Sequence, residues 1–254
     1  MKSKTWLGGL LRKLGLPLAL ALAYTGLTWH NEYLFAPSVG QIGIALTSWM
    51  SQYWRGDILS SLGNLLAGYL IACAAGVGAG LAIGLNERLR MTFEPVIHFL
   101  RSIPPIALIP IYILVIGIGT PMRISIIATG ALFPILLSTI DAVRGMEPTY
   151  LDVVRSYRLP LKDRIFRVML PASLPQILAG MKISLTMSVI LIVASEFQAS
   201  TQGIGNFLVR SERTFDIPSI WAGTFFLGVV GYLLSMGFEA LERRLVFWQR
   251  NDHQ

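Results

Sequence analysis

The sequence predicts an all-α integral membrane protein of about six spanning helices, and three observations lead to that fold class. Hydrophobic residues make up 54% of the chain and charged residues only 14%, whereas soluble domains carry roughly 25% charged residues. The apolar residues are collected in runs of about 20, the length that crosses a hydrocarbon core. The net charge is +7, and the basic residues lie mainly in short segments beside those runs, as the positive-inside rule describes.

Six apolar segments are the predicted spans, and all but the first are long enough to cross with some tilt. They are residues 14–29, 58–85, 91–118, 121–143, 172–195 and 217–241. Basic residues between Lys2 and Lys13 precede the first segment, so it also imitates a signal peptide. Its small-residue motif, Ala19-Leu20-Ala21, lies inside the apolar run, which favours a retained helix over a cleaved one.

The basic residues also orient the chain. With the N-terminus in the cytoplasm, 15 of the 21 Lys and Arg residues fall in inside segments, and the outside segments hold only Arg55, Arg123, Arg210 and Arg213. This bias predicts that both termini are cytoplasmic. The chain then divides into 1–57 (tail, first span and outside connector), 58–243 (transmembrane domain) and 244–254 (cytoplasmic tail).

Two predicted outside segments differ in character. In the first, residues 38–54 form a predicted interfacial amphipathic helix with Trp49, Tyr53 and Trp54 near the lipid headgroups. In the second, residues 196–216, two nearby glycines at Gly203 and Gly205 predict local flexibility.

A cytoplasmic loop, residues 144–170, connects the fourth and fifth predicted spans. Thr149 followed by Asp152 is typical of a helix N-terminus, and Pro160 disfavours helical geometry at the residue before it. A short helix is therefore expected between them, and a second one over residues 161–169. The first helix is either a docking element for a cytoplasmic partner or a helix that lies on anionic lipid, and composition alone leaves both open.

Residues 152–171 resemble the conserved loop of binding-protein-dependent ABC importer permeases, in which a Glu-Ala-Ala triplet precedes a glycine and a closing Leu-Pro. Here the triplet reads Asp152-Val153-Val154, Arg158 stands at the glycine position, and Leu170-Pro171 closes the motif. The two valines and Arg158 make this helix bulkier and more basic than the family pattern.

Two further patterns extend the resemblance over about residues 58–244. Arg101-Ser-Ile-Pro-Pro-Ile-Ala-Leu-Ile-Pro110 with Gly117-Ile-Gly119 is similar to the third-span pattern of the nitrate, sulfonate and taurine branch. Ile192-Val-Ala-Ser-Glu196 with Gly203-Ile-Gly205 is similar to a second pattern of that branch. The spacing there differs by one residue, so either Ser195 or Glu196 matches the glutamate of the family.

The resemblance implies a multi-pass inner (plasma) membrane permease that works by alternating access in an ATP-driven importer. The implied solute is small: an anion such as nitrate, a sulfonate, taurine or bicarbonate, or a vitamin precursor. The implied partners are two cytoplasmic ATP-binding subunits, an extracytoplasmic binding protein, a second permease copy and the lipid bilayer. The implied docking residues are Asp152, Val153, Val154, Arg155, Tyr157, Arg158 and Leu159.

The sequence contains no Gly-x-x-x-x-Gly-Lys-Ser/Thr phosphate loop. We therefore expect ATP and Mg on the partner ATPase, and no cofactor, metal or catalytic residue in this chain. Self-powered secondary transport is the alternative function. A membrane-embedded enzyme is disfavoured because the three histidines form no His-Glu-x-x-His pattern, and nucleic-acid binding because no basic and aromatic stripe is present.

Ionisable or helix-breaking residues within spans are the candidates for the translocation pathway. They are Arg101, Pro104, Pro105, Lys182 and Glu196. Arg101 and Lys182 each lie about 15 Å past the cytoplasmic start of an apolar segment. They either supply positive potential for an anionic substrate or extend to the cytosol. The prolines remove backbone donors and predict bends in the third span.

Overall fold

A computed structural model of the chain describes residues 15, 19, 22–26, 28, 35–147, 149–150, 154 and 156–248. The long elements in this part of the chain are all helices. They are α1 (Val39–Tyr53), α2 (Ser60–Leu85), α3 (Glu87–Arg101), α4 (Ile109–Ile116), α5 (Thr120–Arg144), α6 (Leu170–Ala199), α7 (Ile204–Arg213) and α8 (Ile217–Leu245). Shorter segments are π-helical over Trp54–Leu59 and Arg164–Met169, 3₁₀-helical over Pro105–Leu108 and α-helical over Leu161–Asp163.

Four helical stretches are long and apolar enough to cross a membrane. They are Val39–Leu85, Thr120–Arg144, Arg164–Ala199 and Ile217–Leu245. A fifth crossing results if the bent pair Glu87–Arg101 and Pro105–Ile116 counts as one span. These stretches confirm an all-helical membrane protein. The four contain four of the predicted spans, and the bent pair covers most of the third predicted span. The predicted first span lies largely outside the described residues, and the count of six and the cytoplasmic termini remain predictions.

The third predicted span, residues 91–118, is sharply bent. The axes of its two halves meet at 83°. Helix α3 ends at Arg101, Pro104 has extended backbone geometry with ψ 123°, and Pro105 opens the 3₁₀ segment. A proline has no N–H to continue a helix, and it pushes the preceding residue out of helical geometry. The bend predicted from the prolines is confirmed.

The chain forms two compact units, and the larger comprises Arg55–Asn206 and Leu227–Gln254. Its centre is the close packing of α2 on α5. A Cβ atom placed on Gly68, Gly76 or Gly80 would lie 2.6–2.9 Å from the Cβ of the residue 59 positions later, and Gly84 faces Val143 with the same offset. The constant offset means that α2 and α5 run parallel, and the missing side chains let their backbones approach.

Helix α6 packs on the same core in the opposite direction. Ser184 Oγ donates to the carbonyl of Ala131 at 2.6 Å, and Gly180 lies against Ser138. Tyr69 of α2 donates its hydroxyl to the carbonyl of Met181 at 3.1 Å. The buried apolar side chains here include Leu65, Ile109, Ile126, Ile127, Leu178, Leu185, Leu191 and Ile192.

The smaller unit comprises Met1–Trp54 and Phe207–Phe226. Helix α1 begins with a capping box between Ser38 and Gln41. Trp49 is 3% exposed, stacks on Phe207 at 4.1 Å and meets the edge of Phe226 at 5.2 Å. Trp49 therefore packs within this unit. Tyr53 and Trp54 are exposed, and the position of all three side chains relative to the headgroups stays a prediction.

Candidate functional site

The helix predicted in the cytoplasmic loop is present at its described positions. Thr149, Tyr150, Val154 and Ser156 are helical, whereas Asp152, Val153 and Arg155 lie outside the described residues. The Val154 side chain is buried, and Tyr157 is 76% exposed. Val154 of this helix therefore packs against the protein, and the side chain of Tyr157 is exposed.

The end of this helix is held by its backbone. The N–H of Leu159 donates to the carbonyl of Val154 at 3.3 Å, and Arg158 has a φ of 47°. A hydrogen bond that spans five residues around a left-handed residue is a Schellman C-cap. Glycine is the usual occupant because it has no Cβ to strain that conformation. Arg158 stands where the importer pattern has glycine, so the structure explains why that pattern has glycine there.

A helical link joins the loop to α6. After Pro160 the chain is helical over Leu161–Asp163 and π-helical over Arg164–Met169, and it then enters α6 at Leu170 with Pro171 in the first turn. Arg167 contacts Asp163 at 3.2 Å on this link. The second predicted loop helix is therefore helical, although six of its residues form a π-helix, and it continues into α6.

A buried polar cluster lies where α2 begins and α6 ends. Glu196 is 1% exposed and accepts from Ser61 Oγ at 2.6 Å and from the N–H of Gly205 at 2.9 Å. Ser61 Oγ accepts in turn from the N–H of Ile204 at 2.9 Å. Asp57 accepts from the N–H of Gly203 at 2.8 Å. Two acidic side chains and one hydroxyl thus hold the turn that follows α6.

The glycines of this turn, Gly203 and Gly205, are required by geometry. Gly203 has a φ of 124°, and a Cβ there would strike the carboxylate of Glu196. A Cβ at Gly205 would lie 2.7 Å from the carbonyl of Val193. The stretch that was expected to be flexible is instead a pinned turn, held by these buried hydrogen bonds and followed by α7. This corrects the expectation. Asp57 and Ser61 were not predicted as site residues. The pattern that could have indicated them is two polar residues four positions apart at the start of an apolar run.

Ser195 and Glu196 have different partners. Ser195 Oγ donates to the carbonyl of Ile192 in its own helix at 2.8 Å. Glu196 is the residue of the two that reaches across to another helix, at Ser61.

Lys182 and Arg101 occupy different surroundings. Lys182 Nζ donates to Glu239 Oε1 of α8 at 2.6 Å, and both side chains are about 40% exposed. Arg101 is exposed and lines a cavity of about 170 Å³ formed by α2, α3 and α5. The other polar residues of that cavity are Arg90, Glu94, His98, Asp141 and Arg144. Pro104 and Pro105 lie at the bend after α3.

Arg123 and Asn64 are among the buried side chains that have unpaired donors. Arg123 is 7% exposed and Asn64 is 6% exposed. Arg123 Nε, Arg123 Nη1 and Asn64 Nδ2 have no hydrogen-bond partner in the described part of the chain.

Comparison with known proteins identifies a family match over most of the chain. Residues 74–247 match the model for "Binding-protein-dependent transport system inner membrane component". The putative aliphatic sulfonates transport permease protein SsuC of Bacillus subtilis is 30% identical over 78% of this chain and 72% of its own. The taurine transport system permease protein TauC of Escherichia coli is 30% identical over 77% and 70%. The bicarbonate transport system permease protein CmpB of Synechocystis is 30% identical over 75% and 68%.

Solved structures share the fold at low identity. An inward-facing MetNI methionine ABC transporter matches with a TM-score of 0.67 and 18% identity, over 78% of this chain and 98% of that chain. An amino acid ABC transporter crystallised with histidines matches with a TM-score of 0.57 and 12% identity, over 80% and 96%.

Proposed function

Because the chain belongs to the family of binding-protein-dependent transport system inner membrane components, we propose that it is the permease subunit of an ATP-driven importer for a small anion. The sulfonates, taurine and bicarbonate named for its relatives are small and carry an acidic group. Nitrate remains within this substrate class, and a small vitamin precursor is the alternative solute. The chain is accordingly a multi-pass inner membrane protein.

The observation that carries the proposal is the short capped helix between α5 and α6. Its exposed Tyr157 and the cationic Arg158 at its C-cap present a compact surface to a partner. Asp152, Val153, Val154, Arg155 and Leu159 complete the proposed docking set. The partners are two cytoplasmic subunits that bind ATP and Mg, with a binding protein on the other face and a second permease copy.

The helical link connects this surface directly to α6, one of the helices long enough to cross the membrane. From Arg164 to Ala199 the chain is one continuous helix of 36 residues. Closure of the ATP-binding subunits would draw two docking helices together, and each link would pass the displacement into α6. Packed helices change between discrete arrangements, so the result is alternating access by rocking of rigid parts.

The pathway residues divide by their surroundings. Lys182 is paired with Glu239, which leaves less of its charge available to an anion than that of Arg101. We therefore assign Arg101 to the pathway mouth, with Pro104 and Pro105 shaping the bend beside it. We assign Glu196 to the family's glutamate position, because it holds the turn after α6 and Ser195 does not.

The test is reconstituted transport. Proteoliposomes that contain the chain, its ATPase and its binding protein should take up a labelled sulfonate or bicarbonate only with ATP on the ATPase side. Tyr157→Glu should abolish uptake while leaving the chain folded, and Tyr232→Phe, a change on an exposed side chain of α8, should not. Uptake by the chain alone, driven by an ion gradient, would instead establish the secondary transporter.

A further inference from the structure

The register of α2 against α5 places the unpaired donors of Asn64 and Arg123 together. Gly68, Gly76, Gly80 and Gly84 each face the residue 59 positions later. Asn64 precedes Gly68 by one helical turn on the same face, and the same offset pairs it with Arg123. The two side chains therefore share one rung at the end of the α2 and α5 interface, next to Ser61 and the polar cluster.

All three unpaired atoms on this rung are donors. Arg123 Nε, Arg123 Nη1 and Asn64 Nδ2 are buried and lack acceptors in the described part of the chain. A guanidinium has no acceptor atom and stays charged in proteins. A water molecule accepts at most two hydrogen bonds and brings two donors of its own, whereas the unpaired atoms on this rung are all donors. The group that suits them is an acceptor with negative charge.

Nearby groups limit how strongly an anion binds. Glu196 attracts Arg123, but its two oxygens already accept from Ser61 and Gly205. Asp57 is the second acidic residue of the cluster and accepts from Gly203. On the other side, α5 begins at Thr120 without a side-chain cap, so its first turn adds partial positive charge. Because the two acidic residues repel further negative charge, the proposed ligand is small and monovalent, and its binding is weak and reversible.

We propose that Asn64 and Arg123 form a buried binding site for a small anion between α2 and α5. The ligand is either a resident halide or the oxoanion group of a transported solute, since both offer compact negative acceptors. The site itself does not rest on the transport function proposed above, and only its use by the solute does.

The experiment measures anion-dependent thermal stability of the purified full chain in lipid nanodiscs, without ATPase. Gluconate is replaced at constant ionic strength by chloride, nitrate, bicarbonate or methanesulfonate. The wild-type melting temperature should rise saturably with at least one of these anions. Arg123→Met and Asn64→Leu should each weaken the apparent affinity by about tenfold or more, the loss expected for a hydrogen bond to a charged group.

Controls separate this site from general salt effects. Arg213→Met removes an exposed arginine and should keep the wild-type anion dependence, and Arg123→Lys should keep a weakened one even if Arg123→Met fails to fold. A preference for chloride identifies a resident halide, and a preference for methanesulfonate or bicarbonate identifies a solute site. Equal stability of the wild-type chain in gluconate and in all four anions overturns the proposal, as does an unchanged response in Asn64→Leu and Arg123→Lys.

Discussion

Ser61 and Glu196 are separated by 135 residues and joined by a hydrogen bond of 2.6 Å from the serine hydroxyl to the carboxylate. The same serine accepts from the N–H of Ile204, so one hydroxyl connects the start of α2, the end of α6 and the turn before α7. Each group in this cluster is buried, and the loss of one partner leaves another unsatisfied.

Ser61→Ala tests that cluster. We expect it to lower the free energy of unfolding by about 1–3 kcal/mol, because a buried carboxylate oxygen and a backbone N–H each lose a partner. The measurement is chemical or thermal unfolding in detergent. Ser48→Ala removes an exposed hydroxyl that bonds only within its own helix, and it should change stability by less than about 0.5 kcal/mol. Equal effects of the two changes would contradict the connecting role of Ser61.

Gly203→Ala tests the pinned turn. The new Cβ would meet the Glu196 carboxylate, and the φ of 124° is one that alanine rarely adopts. We expect severe destabilisation and loss of uptake, because the backbone and the carboxylate must both move. Gly63→Ala is the matched control, since no atom lies within 4 Å of a Cβ built there. If the Gly203→Ala and Gly63→Ala proteins have the same melting temperature, the turn is free to rearrange.

Arg158→Gly tests the C-cap of the docking helix. Left-handed geometry costs a non-glycine residue about 1–2 kcal/mol, so glycine should slow hydrogen exchange of the Leu159 amide by about fivefold or more. Arg158→Ala removes the same side chain and retains the strain, and it should give no such protection. Equal protection in the two variants would mean that the side chain, and not the backbone, sets the stability of this cap.

Gly80→Ala tests the contact of α2 with α5. The added methyl group would lie 2.6 Å from Thr139 Cβ, and we expect a loss of about 1–3 kcal/mol through overpacking. Gly78 has no atom within 4 Å of such a position, so Gly78→Ala should be neutral or stabilising by up to about 1 kcal/mol. Thermal unfolding of both variants in the same detergent makes the comparison, and a reversed order would contradict the close approach of α2 and α5 at Gly80.

Lys182 and Glu239 are suited to a double-mutant cycle. Because both side chains are about 40% exposed, solvent screens their attraction, and their coupling should contribute little to stability. Uptake is the more informative measurement. If the only role of Lys182 is to pair with Glu239, the double variant Lys182→Met and Glu239→Gln should recover the uptake that Lys182→Met alone loses. If uptake stays low in the folded double variant, the charge of Lys182 acts on the transported solute.

The sequence was most informative where one residue type has one strong structural effect. Apolar runs predicted α2, α5, α6 and α8, and Pro104 and Pro105 predicted the bend, because a spanning length and a missing N–H act locally. The cap residues and Pro160 predicted a short helix, and the loop motif identified Arg158 as one departure from the family pattern. Each of these inferences needs only nearby residues.

The polar cluster could not be predicted in the same way. Ser61 and Glu196 meet because α2 and α6 pack side by side, and no local pattern encodes a hydrogen bond between residues so far apart in the chain. Gly203 and Gly205 indicate flexibility in isolation, but they permit close contact once Glu196 is beside them. The packing of Trp49 could not be predicted for a related reason, since an aromatic residue near a predicted interface has the same sequence signal whether it faces lipid or Phe207.

The four-residue spacing along α2 has a consequence for sliding of the two helices. Gly76, Gly80 and Gly84 recur every turn, so α5 could shift along α2 by one turn and find an equivalent groove at each of them. Such a shift would move Asn64 from Arg123 to Ile127, leaving a polar amide against a branched aliphatic side chain. A single polar pair can select one alignment among several of similar apolar packing. The Asn64 and Arg123 rung is therefore a position at which a shifted alignment would differ in polarity from the observed one.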